Sequence, residues 1–248
     1  MKMLSIVALA CMATLMSCSK SEENVSSSSN PTVYIAGDNG DNGGYWKNGT
    51  FTSLSACSEA DAIFVSGSDV YVAGQNGGYG GYATYWKNGV AVNLSDGTTD
   101  AGANSIYVSG SDVYVAGGIT NSSGKSVATY WKNGVAVSLS DGTTNAAAFS
   151  IYVSGSDVYV AGGITNSSGN QVATYWKNGA AVTLSDGTTW AGANSIYVSG
   201  SDVYVAGYVV NKSSGTDSFS FATYWKNGTA VHLTDGTTYE YAFSIFVK

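Results

Sequence analysis

The chain has 248 residues and a formal net charge of −7, and Asp, Glu, Lys and Arg together make up only 11% of it. All ten basic residues are Lys, glycine occurs 32 times and proline once. This composition favours short β-strands between glycine turns over long charged helices. Because phosphate recognition needs clustered basic side chains, the chain is not expected to bind nucleic acid.

The first 17 residues predict an export signal. Lys2 supplies a positive charge, and the apolar stretch in residues 3–16 is too short to span a bilayer as a helix. The sequence Leu15-Met16-Ser17-Cys18 resembles the bacterial lipobox, in which cleavage leaves a Cys that receives the lipid. Cys18 is therefore the predicted lipidation site, and an ordinary signal followed by a chance Cys is the alternative.

Residues 18–32 are predicted to be the lipidated Cys and a flexible tether, because they contain too few apolar residues to order themselves. Acyl chains on Cys18 would hold the protein to a membrane. Ser19 is not the Asp that retains lipoproteins in the inner membrane of enteric bacteria, and residues 20–23 resemble the acidic export tag of Bacteroidetes surface lipoproteins. We therefore expect an outer-membrane lipoprotein, with surface exposure as the further expectation.

Residues 33–248 are predicted to form one domain built from a repeated unit. A Trp recurs at intervals of 40, 45, 45 and 49 residues within versions of the phrase YWKNG, and a Leu follows eight residues after each Trp. Such periodicity is the mark of a repeat architecture. The five Trp residues are Trp46, Trp86, Trp131, Trp176 and Trp225.

Each unit predicts four short strands by alternation of apolar and polar residues. In one copy they cover residues 105–108, 113–116, 127–131 and 135–139. Asn133-Gly134 is a two-residue hairpin turn that requires positive φ at both positions. The Asp residues of the SGSD and DG turns are expected to bond nearby backbone amides.

Four antiparallel strands in about 45 residues, repeated in series, predict an all-β, five-bladed β-propeller of four-stranded blades. Residues 33–36 correspond to a second strand and residues 244–247 to a first strand. We therefore expect the C-terminal strand to pair with the N-terminal blade and to close the ring, which removes free sheet edges.

The Gly-Gly after the second strand and the aromatic residue on the third resemble Kelch-type blades, and the YWKNG repeats are similar to those of uncharacterised Bacteroidetes lipoproteins. The resemblance implies the fold and says little about activity. The repeated Trp residues are expected to pack neighbouring blades together, which we favour over a role in stacking on sugars.

Loops that differ among the copies are the candidate binding surface. The connections from second to third strand and from fourth strand to the next blade should emerge on one face, the variable-loop face. Aromatic rings beside amides and hydroxyls suit a glycan or another neutral polar ligand, while loop drift after duplication is the alternative. The candidate ligand-binding residues are Trp190, Tyr239, Tyr79, Tyr82, Tyr208, Asp100 and Asn145.

No enzyme chemistry, metal site or cofactor is predicted. His232 is the only His, and it lies in a fourth strand where other copies have Asn, Ser or Thr. Cys57 has no partner Cys in the mature chain and is expected to be a small buried thiol. The predicted protein is a monomeric binding module, attached to the membrane through its lipid, with a glycan or protein partner. The alternative is a protein-interaction scaffold without a small ligand.

Overall fold

A computed structural model of the chain describes residues 31–77, 81–211 and 219–248. The predicted signal, Cys18 and nearly all of the tether lie outside these ranges and stay predictions. All described strands belong to the compact unit Thr32–Lys248. The described ranges hold no helix with the length and apolar character needed to cross a membrane.

The described residues form five antiparallel sheets, which we name A to E in chain order, and within each sheet neighbouring strands are consecutive in the chain. Sheet A has three strands and the others have four. The strands of sheets A and B are β1 (Tyr34–Asp38), β2 (Gly43–Lys47), β3 (Thr50–Ser53), β4 (Cys57–Ser66), β5 (Asp69–Asn76), β6 (Tyr82–Lys87) and β7 (Val90–Asn93). Those of sheet C are β8 (Ala101–Ser109), β9 (Asp112–Thr120), β10 (Ser126–Lys132) and β11 (Val135–Ser138). Those of sheets D and E are β12 (Ala146–Ser154), β13 (Asp157–Thr165), β14 (Gln171–Lys177), β15 (Ala180–Thr183), β16 (Ala191–Ser199), β17 (Asp202–Asn211), β18 (Phe219–Lys226) and β19 (Thr229–His232).

The strands are longer than predicted at the first and second positions of each sheet. The β8–β9 ladder continues past a register shift between Ala103 and Ser105, so β8 begins at Ala101. Such a bulge interrupts the alternation on which the prediction rested, which is why the extension was missed. The fourth strand is shorter than predicted, because Leu139 leaves β11 and is buried in the core.

The YWKNG repeat is explained by one side-chain cluster, shown here for sheet C. Asn133 and Gly134 have φ values of 51° and 82°, which confirms the predicted turn. The Asn133 side chain accepts a hydrogen bond from Val113 N at 2.9 Å and donates one to Asp112 Oδ1 at 2.9 Å. Lys132 Nζ lies 3.0 Å from Asp112 Oδ2. The Asp of the SGSD turn therefore bonds side chains of the neighbouring hairpin, and the expectation that it bonds backbone amides was wrong.

Successive sheets pack face to face, and a Trp fills each of four seams. Trp86, Trp131, Trp176 and Trp225 are 0% exposed. They lie in the four separate core clusters of the described residues, each of which joins one sheet to the next. The expected packing role is thus confirmed for these four residues. Trp46 of sheet A is only half-buried and packs against Phe51 in a tilted arrangement, at 4.7 Å between ring centroids.

The first strands lie side by side along the sheets and form a ladder of aromatic rings. Ring centroids are 5.1 Å apart for Phe64 and Tyr107, 5.2 Å for Tyr107 and Tyr152, and 4.8 Å for Tyr152 and Tyr197. Phe246 extends the ladder at 5.1 Å from Tyr197. Desolvation, together with hydrogen bonding to Tyr197, raises the pKa of Tyr152 to about 12, so its hydroxyl stays protonated at neutral pH.

The C-terminal segment, residues 233–248, contains no strand, so the predicted pairing of residues 244–247 with β1 is not confirmed. The segment nevertheless contacts sheet E as a first strand would. Asn194 Nδ2 donates to Ala242 O at 2.9 Å and Ile245 N donates to Ser195 Oγ at 3.2 Å. These bonds match those that β12 makes with β8, and only the pairing with sheet A is missing.

Candidate ligand-binding site

The residues that follow the DGTT turns are held in equivalent places by the backbone. Thr120 N donates to Asp100 O at 2.8 Å, and Thr165 N donates to Asn145 O at 2.7 Å. Trp190 O accepts the corresponding bond in sheet E, at 2.8 Å. In each case the second strand of a sheet fixes the residue that precedes the first strand. The predicted site residues therefore recur once per sheet at the same rim.

Two neighbouring clefts open at this rim. Cleft C has a volume of about 160 Å³, and its wall includes Asp100, Asn104, Gly118, Thr120 and Ser126. Cleft D has a volume of about 250 Å³. It is lined by Ser126, Asn145, Gly163, Thr165, Gln171 and Trp190 together with two alanines.

Cleft D joins an aromatic ring to uncharged polar groups. The Trp190 side chain is 49% exposed, so a large part of the ring is open to a ligand. Asn145 Oδ1 accepts a hydrogen bond from Ser126 N at 3.1 Å. Among the described residues, Asn145 Nδ2 and the side chains of Thr165 and Gln171 have no hydrogen-bond partner, so they can bond hydroxyl groups. None of the described residues that line this cleft is charged.

Cleft C is more polar and carries one carboxylate. Gln75 Nε2 of sheet B donates to Asp100 Oδ1 at 3.1 Å and to Ala101 O at 2.9 Å. Asn104 Nδ2 donates to Ala148 O at 2.8 Å, which fixes the amide in the wall of the cleft. The carboxylate of Asp100 accepts hydrogen bonds and repels anions, so this cleft favours a donor such as a hydroxyl or amino group.

Whether a cleft exists depends on one position of the second strand. The position holds Gln75 in sheet B, Gly118 in sheet C, Gly163 in sheet D and Tyr208 in sheet E. The glycines leave space in sheets C and D. Gln75 instead reaches into the gap and bonds the next sheet, while the Tyr208 ring covers Gly192, where an added Cβ would lie 2.6 Å from it.

Three of the predicted aromatic residues lie apart from clefts C and D. Tyr82 covers Gly97 of its own DGTT turn, where an added Cβ would lie 2.3 Å from the Tyr82 ring. Tyr208 packs edge-on against Tyr241 at 4.8 Å. Tyr239 is 62% exposed and packs against Phe219 at 5.5 Å. Tyr79 lies outside the described residues.

Trp190, Asn145 and Asp100 are thus brought to the two clefts, and sequence reasoning missed Ser126, Thr165 and Gln171. The missing signal was the glycine at positions 118 and 163. When the copies are aligned, Gly118 and Gly163 occupy the position that holds Gln75 in sheet B and Tyr208 in sheet E. The sequence therefore already showed that this position is small in two copies and large in two others.

The titratable groups of the described ranges were expected to include no metal site. There, no three His, Cys, Asp or Glu side chains come together as metal ligands would. His232 is exposed, stacks on Phe221 at 4.4 Å and bonds Thr223 Oγ1 through Nδ1 at 2.9 Å. Cys57 is buried, as expected, and desolvation raises the pKa of its thiol to about 11.

Neither the known protein-family models nor the curated proteins give a match to this chain.

Proposed function

We propose that the protein is a non-enzymatic binding module that recognises a glycan or another neutral, hydroxyl-rich ligand through cleft D. The observation that carries the proposal is the meeting of the Trp190 ring with the Asn145 and Gln171 amides in one uncharged cleft. An exposed aromatic face supplies apolar contact to the C–H groups of a sugar, and the amides bond its hydroxyl groups.

The cellular setting of this proposal comes from the sequence. A lipid on Cys18 and the Ser-rich tether would hold the binding domain at the outer membrane, where glycans are available. Stable attachment through acyl chains needs no membrane-spanning helix. A monomer on such a tether fits a protein that captures a ligand at the cell envelope.

The test is a glycan array probed with the chain from residue 19 onward, which lacks the lipidation site and keeps every described strand. We expect a specific signal that falls about tenfold for Trp190→Ala and for Asn145→Ala, equivalent to about 1.4 kcal/mol each. Tyr239→Ala is the matched control, because it removes another exposed aromatic ring that does not line cleft D.

The alternative is a scaffold that binds a protein partner and no small ligand. No signal on the array from a folded protein would favour it. A signal that is unchanged in the two cleft variants would instead place glycan binding outside cleft D. Capture of a partner from the native membrane, weakened by Tyr239→Ala and not by Trp190→Ala, would then place the contact outside cleft D.

We further propose that the five sheets form a closed five-bladed β-propeller in which residues 244–247 supply the missing first strand of sheet A, beside β1. Support comes from side chains that are exposed only at the two ends. Ile35 is 55% exposed, whereas its equivalents Val72, Val115, Val160 and Val205 are each 1% exposed. Leu233 is 58% exposed, whereas its equivalents Leu54, Leu94, Leu139 and Leu184 are at most 8% exposed.

The other sheets specify the register of this pairing. In sheet C, Ile106 pairs with Val115 and Tyr107 with Tyr114. By equivalence, Ile245 pairs with Ile35 and Phe246 with Tyr34. Closure would bury Ile35, Leu233 and Trp46 in a fifth seam, at about 1.5–3 kcal/mol for each large apolar side chain.

A cross-link tests the closure. With Tyr34→Cys and Phe246→Cys in the chain from residue 19, oxidation should give an intramolecular disulfide in a monomer. Tyr34→Cys combined with Tyr241→Cys, which is out of register, is the control and should remain reduced. Absence of the first cross-link, or disulfide-linked dimers in its place, would contradict closure within one chain.

A further inference from the structure

Clefts C and D are neighbours, and together they make a track across two sheets. They share two lining residues, Ser126 and Ala147. Stacked sheets are about 10 Å apart, so a ligand that fills both clefts must extend further than a single sugar ring. Ser126 and Ala147 lie at the boundary of both clefts, so the two clefts adjoin each other.

The track is limited to clefts C and D, because the equivalent space is filled in the sheets on either side. Gln75 occupies the equivalent space in sheet B and Tyr208 occupies it in sheet E. The residue that precedes this position in the strand is a glycine in all four sheets. Open and filled gaps therefore differ in the side chain at the position itself and not in the glycine before it. A bound chain can therefore continue over two sheets before it meets a closed gap.

The two clefts also differ in chemistry. Cleft D is uncharged, whereas cleft C has the Asp100 carboxylate in its wall. An anionic unit would be repelled by Asp100 and by the net charge of −7. A neutral unit with hydroxyl or amino donors is compatible with both clefts.

We propose that the ligand is a linear, non-anionic polysaccharide whose successive units occupy cleft D and then cleft C. The inference depends on the proposed function, because it extends the same site from one cleft to two. It adds that binding strengthens with the length of the chain until both clefts are filled.

The test uses glucose-, xylose- and mannose-based neutral oligosaccharides of one to six units, immobilised as an array and also titrated in solution. We expect affinity to rise at least tenfold from the shortest bound oligosaccharide to six units. Oligosaccharides of the same lengths with uronic acid units should bind more weakly than the neutral series.

Gly118→Gln and Gly163→Gln form a matched pair of variants. Each introduces the residue that closes the gap in sheet B. The nearest atom to the added Cβ is Ser126 Oγ, at 3.2 Å, for position 118 and Gln171 Nε2, at 2.6 Å, for position 163. Both are side-chain atoms, and every atom closer than 3.4 Å belongs to a side chain. Gly118→Gln should remove the gain with length and leave short oligosaccharides bound. Gly163→Gln should weaken the binding of oligosaccharides of every length.

Thr120→Val is a second variant for cleft C, for use if Gly118→Gln does not fold. It removes a hydroxyl from cleft C without filling it and should reduce the gain in affinity with length.

Three results would overturn the inference in distinguishable ways. Equal affinity for all lengths, with loss of binding in Trp190→Ala, would leave a single-cleft binding site and exclude the extended one. Tighter binding of the uronic acid series would exclude the chemistry assigned to cleft C. If no neutral oligosaccharide of any length binds, the proposed function fails together with the inference.

Discussion

Asp61 is a carboxylate at a position where two other sheets have an amide. The equivalent residues Asn104 and Asn194 lie at the bulge of their first strands and donate to Ala148 O at 2.8 Å and Ala242 O at 2.9 Å. An ionised carboxylate cannot donate such a bond. The pKa of Asp61 is raised from 3.8 to about 6, mainly by partial burial and secondly by the negative charge of the neighbouring Glu59.

The perturbation is Asp61→Asn, which restores the amide of the other copies. A difference of one in pKa corresponds to about 1.4 kcal/mol, so the rise to about 6 sets an upper limit of about 3 kcal/mol on the cost of ionised Asp61. Because Asp61 is an exposed residue, solvent screening reduces this to about 1 kcal/mol. The hydrogen bond that the introduced amide can donate adds about 1 kcal/mol.

The sign of the pH dependence follows from the raised pKa. Below pH 3.8 the carboxyl is protonated in both the folded and the unfolded chain, and ionisation carries no penalty. Between pH 3.8 and about 6 the unfolded chain ionises first, so the folded state loses stability as the pH rises, and above about 6 the penalty is complete. Asp61→Asn should therefore stabilise the protein by about 2 kcal/mol at pH 7.5 and by about half of that at pH 4.

Urea unfolding at pH 4 and pH 7.5, followed by far-UV circular dichroism, measures both values. Asp41→Asn is the control, because it removes the same charge from an exposed loop. A gain that is equal at the two pH values would refute the argument from ionisation. A loss of stability at pH 7.5 would refute the assigned hydrogen bond as well.

Four further predictions concern the core and the turns. Trp176→Ala should cost about 3–5 kcal/mol in urea unfolding, because it empties the seam between sheets C and D. Trp46→Ala should cost as much only if the ring closes, so a cost below about 1 kcal/mol would count against the fifth seam. The Cys57 thiol should react with a thiol reagent at pH 8 only after urea unfolding, since burial raises its pKa to about 11, and rapid labelling of the folded protein would contradict this. Asn178→Ala removes bonds to Val158 N and Asp157 Oδ1 at a residue with φ of 51° and should lower the free energy of unfolding by about 2 kcal/mol, with Asn178→Gly losing less.

Much of the fold could be predicted because its determinants are local and repeated. The five YWKNG phrases placed the third strands and their turns, and Asn133-Gly134 specified positive φ through the preference of those two residues. The buried Trp of each seam followed from its recurrence, since a large aromatic residue at a fixed strand position needs a neighbouring sheet to cover it.

Strand ends were less predictable than strand positions. The bulge at Asn104 shifts the alternation by one residue, so periodicity predicts a strand that begins four residues too late. The partners of the SGSD aspartates were also missed, because Lys132 and Asn133 come near Asp112 only when the second and third strands pair.

For the candidate site, the sequence by itself determined which residues vary at the rim, among them Trp190, Asn145 and Asp100. Only the tertiary structure decided which of them share a cleft. Tyr82 and Tyr208 cover glycines, whereas Trp190 faces the open space beside Gly163. The physical reason is that a cleft forms where neighbouring strands leave volume unfilled, and that volume depends on side chains far apart in the chain, such as Ser126, Gly163 and Trp190.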